Sequence, residues 1–64
     1  MENEVIKMMT TMQTVFETAT TDATKFAEGN NSAGTRIRKA MQSVKTMAQG
    51  IRVEVQEQKN TVLA

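Results

Sequence analysis

Two segments of this chain space their apolar side chains alternately four and three residues apart, a pattern that restricts it to packed helices. In the first, Val5, Met9, Met12, Phe16, Ala19, Ala23 and Phe26 follow the spacing. In the second, Ile37, Met41, Val44, Ala48, Ile51, Val55 and Val62 do the same, with polar Gln58 at the remaining step. Such a stripe runs along one side of an α-helix and is buried against another helix. No proline interrupts either segment. The seven threonines between Thr10 and Thr24 weaken the first helix, because β-branching restricts the side chain there, so it depends on packing. A strand over residues 8–16 is excluded, since neither alternate set of side chains is consistently apolar.

Between the stripes lies Gly29-Asn30-Asn31-Ser32. Gly29 or Asn30 can take the left-handed conformation that ends a helix, and Asn31 or Ser32 can accept the first free amides of the next. So short a connection makes the helices antiparallel. The expected fold is all-α: one domain over residues 1–64, an antiparallel two-helix hairpin with a heptad seam. Its helices span 2–28 and 32–61, joined by a turn at 29–32. Within it Phe26 should face Ile37, Ala23 Met41, Ala19 Val44, Phe16 Ala48, Met12 Ile51, and Met9 Val55. A continuous helix opened at Gly29–Gly34 and pairing between chains competes with the hairpin.

A core of 64 residues needs a staple. With neither cysteine nor histidine, neither a disulfide nor a zinc site is available, which leaves oligomerisation. Met8, Val15, Ala40 and Met47 form a second apolar strip that a lone hairpin is expected to leave exposed, flanked by Asp22 and Glu54. The strip suggests the interface of a bundle dimer or higher oligomer, and methionine suits adaptable contacts. Apolar runs are short, as at Met8-Met9 and Val15-Phe16. That argues against a membrane span or signal-peptide core, and for a soluble protein with no membrane partner.

Charge divides the chain. Residues 1–30 carry two basic side chains against five acids, a balance of −3, and residues 31–64 carry six against two, a balance of +4. Arg38, Lys45, Arg52 and Lys59 recur at seven-residue intervals, which returns each to one side of a helix. The row is about 32 Å long at roughly 1.5 Å per residue, close to one duplex turn of about 34 Å. Arg36 and Lys39 add cations in the first turns of the second helix, where they oppose its dipole. An anionic partner and a merely solvated face both account for the row. Arg36 has the further option of reaching back to Glu28.

The stretch Ala27-Glu28-Gly29-Asn30-Asn31-Ser32-Ala33-Gly34-Thr35-Arg36-Ile37-Arg38-Lys39-Ala40, followed by Lys45, Ala48, Ile51, Arg52, Glu54 and Lys59, resembles the helical region of chlamydial linker-histone-like nucleoid proteins and their small bacterial and phage-encoded relatives. The likeness covers roughly residues 27–60. It implies DNA binding and a chromatin-architectural role, carried by Arg36, Arg38, Lys39, Lys45 and Arg52. The chlamydial proteins continue into a long basic tail that this sequence lacks, so modest rather than strong condensation is expected.

Catalysis is not expected. The carboxylates are scattered, and Gly29 and Gly34 lack the strand and Gly-Lys-Ser/Thr element of a phosphate loop. No cofactor or metal is implied. The leading expectation is a sequence-nonspecific double-stranded-DNA-binding, histone-like oligomer in the cytoplasm or nucleoid, acting through Arg36, Arg38, Lys39, Lys45, Arg52 and Lys59. Without Tyr or Trp, single strands lack their usual stacking platform. The alternative is a virion or capsid-associated protein, or a coiled-coil structural protein, docking on a protein partner.

Overall fold

The computed structural model describes residues 3–63, with side chains through Thr61. Two helices, α1 (Glu4–Ala27) and α2 (Asn31–Leu63), pack along their lengths as an antiparallel hairpin, and no strand occurs among the described residues. The fold is all-α, as the periodicity requires. The expected helix start at Glu2, and the side chain of Val62, lie outside the described residues.

Local chemistry sets each helix end. Asn3 caps α1, its side-chain oxygen accepting the Val5 amide at 2.7 Å. At the far end the Gly29 amide donates to Phe26 O at 3.0 Å and the Asn30 amide to Lys25 O at 3.0 Å. This is the Schellman pattern, with Gly29 at φ 102° in the conformation that glycine alone takes without strain. The cap of α2 is Asn30, whose side chain accepts the Ala33 amide at 3.1 Å, rather than the expected Asn31 or Ser32. Six of the threonines of α1, Thr10, Thr11, Thr14, Thr20, Thr21 and Thr24, donate their hydroxyls to the carbonyl four residues back. The helix thereby absorbs its own polar groups.

The seam differs from the expected one. On α1 the half-buried or buried line is Val5, Met8, Met12, Val15, Ala19 and Asp22, and on α2 it is Ala33, Ile37, Ala40, Val44, Met47, Ile51, Glu54 and Gln58. Met8, Val15, Ala40 and Met47, expected as an exposed strip, thus lie between the helices of one chain. Met9, Phe16, Ala23, Met41, Ala48 and Val55, expected in the seam, are exposed. The facing positions also shift by about one helical turn. Phe26 covers Gly34 rather than facing Ile37, and Met8 reaches Gly50.

The physical reason is an apolar stripe wider than two positions per heptad. Each helix carries three apolar lines, enough for a bundle, and a two-helix layer buries only two of them. Small side chains at Ala19, Ala33 and Ala40 let the axes approach along the observed seam, where Ala33 is wholly buried. At the open end, Asn3 and Gln58 exchange amide hydrogen bonds at 2.8 and 3.1 Å, and Gln58 also donates to Glu54 at 3.0 Å.

The hairpin is 53 × 20 × 11 Å, two helices wide and one thick. Stable domains bury their apolar faces between at least two layers. Here one face remains open. Met9, Phe16 and Ala23 each follow a seam position of α1, and Met41, Ala48 and Val55 each follow one of α2. In an antiparallel pair those two lines share a face. Phe16 is 45% exposed there and Met9 48%.

Candidate nucleic-acid interface

On α2, Arg38, Lys45, Arg52 and Lys59 each stand one residue past the seam line of Ile37, Val44, Ile51 and Gln58. One residue is roughly 100° of rotation, so the row points outward and away from α1. All four are exposed, as is Lys39. No acid lies three or four residues from any of these five cations along the helix, the separation at which helical side chains pair. Among the described residues none of the five forms an ion pair.

Arg36 stands apart from them. Its Nε donates to Asp22 Oδ1 at 3.0 Å and its Nη2 forms an ion pair with the same oxygen at 2.9 Å, on the side of the seam opposite the row. The partner is Asp22, not Glu28. A seven-residue line, Met8, Val15, Asp22, contained the signal: an acid in an apolar seam position requires a cation nearby. Of the six residues expected to contact nucleic acid, the structure therefore groups Arg38, Lys45, Arg52 and Lys59 in one row. Lys39 lies beside that row, and Arg36 is held elsewhere.

Near the turn, Thr35, Arg38, Lys39 and Gln42 surround a shallow depression of about 320 Å³, where two cations and two hydrogen-bonding side chains suit a phosphate-sized anion. A feature missed in the sequence continues this chemistry: Gln42, Gln49 and Gln56 are exposed at the same seven-residue interval, each four residues after a member of the row. Every two turns thus offer a cation and an amide side by side. The apolar line Met41, Ala48 and Val55 borders the row on its other side.

A comparison with protein families decides the lineage: the model of the histone H1-like protein Hc1 matches residues 6–61. The chain belongs to the histone H1-like Hc1 family. The match spans both helices of the hairpin. Hc1 is a family of DNA-binding structural proteins rather than enzymes. Neither the curated proteins nor the solved structures give a match. In this Hc1-family chain no group of acids among the described residues could hold a metal ion. No described helix is long and apolar enough to cross a membrane.

Proposed function

We propose that this chain is a sequence-nonspecific, duplex-DNA-binding architectural protein of the nucleoid that acts as an oligomer. One observation carries the reading: the outer row Arg38, Lys45, Arg52 and Lys59, with Lys39 beside it, has no ion-pair partner among the described residues. A cationic row about one duplex turn long neutralises phosphates and releases their counterions without reading bases. Gln42, Gln49 and Gln56 add neutral donors to phosphate oxygens, and Arg36, engaged with Asp22, serves the fold.

Oligomerisation follows from the open face. Met9, Phe16, Ala23, Met41, Ala48 and Val55 form a contiguous apolar patch of the kind that marks an interaction site, and a second hairpin laid on it completes a four-helix bundle.

The test is a mobility-shift titration on unrelated duplexes of equal length at low salt. All should shift at similar concentrations, and the double substitution Arg38→Glu, Arg52→Glu should abolish the shift. Indifference to that substitution, or no shift with the native chain, contradicts the proposal.

A further inference from the structure

We propose that the chain bridges two DNA duplexes, because the second copy that covers its apolar face places the two basic rows on opposite flanks of the dimer. This rests on the reading of the row as a duplex-binding element.

The occupant of the open face follows from area and charge. The hairpin exposes 5129 Å², whereas a compact folded chain of its mass, 7.1 kDa, exposes roughly 4,100 Å², an excess of about 1,000 Å². A stable interface takes roughly 800 Å² from each partner, so one copy of this face is enough to cover another. Its centre carries no charged side chain: Met9, Phe16, Ala23, Met41, Ala48 and Val55.

A two-fold pairing of the face with itself has two forms. In one, α2 lies over α2 of the second copy and the two rows of Arg38, Lys45, Arg52 and Lys59 adjoin along the rim. In the other, the axis runs along the helices and α2 lies over α1 of the second copy. The row then meets the line Ile6, Gln13, Thr20 and Ala27, which is uncharged, with Glu17 next to it. Juxtaposed like charges select against the first form. The second therefore stands: its two α2 axes lie diagonally across the bundle, about 14 Å apart at the usual spacing of roughly 10 Å between neighbouring helices, with the rows on opposite flanks. Each row faces its own duplex.

The experiment uses the full chain, a duplex fixed on beads and a labelled free duplex. The native chain should carry the labelled duplex onto the beads. Phe16→Glu, at a half-exposed position outside the seam, should recover none while still shifting a single duplex. Ala48→Glu, at an exposed alanine, should do the same and covers the case in which Phe16→Glu unfolds. Recovery undiminished in both variants, each shown to be monomeric, overturns the proposal. A native chain that shifts a duplex but recovers no second one overturns bridging and leaves DNA binding standing. The absence of any shift defeats the underlying reading, and bridging with it. Ala48→Cys reports the arrangement: oxidation should leave it unlinked, and a disulfide-linked dimer would place α2 on α2 and overturn the geometry.

Discussion

Asp22, 7% exposed within the helical seam, accepts a hydrogen bond from Arg36 Nε at 3.0 Å on the same carboxylate oxygen that Arg36 Nη2 approaches as an ion pair at 2.9 Å. The two partners are unequal, since the Arg36 side chain is 48% exposed and Asp22 lies beneath it. Removing Arg36 strands a buried carboxylate, while removing Asp22 returns a guanidinium to water. Arg36→Ala should therefore cost about 1–2 kcal/mol, the exposure of Arg36 holding it to that range, and Asp22→Ala should cost less. Urea unfolding followed by circular dichroism at one protein concentration measures both. A larger loss for Asp22→Ala would contradict this order.

The turn depends on one backbone conformation. At φ 102°, a side chain on residue 29 meets its own backbone, although the space around it is open. Gly29→Ala should destabilise the hairpin by about 1–2 kcal/mol, a fall in Tm of roughly 4–8 °C per kcal/mol. An unchanged Tm would show that the turn tolerates another geometry.

Gly50 should behave in the opposite sense. It lies inside α2, where glycine costs roughly 0.8–1 kcal/mol relative to alanine. A Cβ there meets only the terminal methyl of Met8, at 3.3 Å, the far end of a flexible side chain that has to give by a few tenths of an ångström. Gly50→Ala should raise Tm by several degrees, and a fall would mean that Met8 is fixed by its neighbours.

Adjacent residues on α1 separate the two faces. Val15→Glu places a charge in the seam beside Met12 and Ala19 and should abolish helical circular dichroism. Phe16→Glu places it on the open face and should leave a helical chain that sediments as a monomer. The reverse pair of outcomes would restore the seam that the spacing alone suggests.

That contrast marks what was legible in the sequence. The two helices were, because of the four-three spacing and the missing prolines, and the Gly29-Asn30 break favoured folding them into a hairpin over one continuous helix. The choice of seam was not. Three apolar lines per helix allow two pairings of similar hydrophobicity, so periodicity cannot rank Met9–Phe16–Ala23 against Met8–Val15–Asp22. What separates them is three-dimensional: the close approach at Ala19, Ala33 and Ala40, and an ion pair between residues fourteen apart in the sequence. The basic row was legible because a seven-residue interval survives any rotation of the helix about its axis. The partner of Arg36 was not legible, because Asp22 stands in a line that the spacing places on a flank. The glutamine row shares the same interval, but neutral polar side chains stand out neither in an apolar stripe nor in a charge pattern.

A row that holds DNA by phosphate neutralisation releases counterions on binding, so the affinity of the native chain for a duplex falls as salt rises. Four to five contacts per row predict a slope of about −4 for log K against log salt. Lys45→Gln should flatten that slope by roughly 0.9, while Arg36→Gln, whose charge already faces Asp22, should leave it unchanged. A slope near zero, or the same change in both variants, would mean that the outer row does not hold the phosphates.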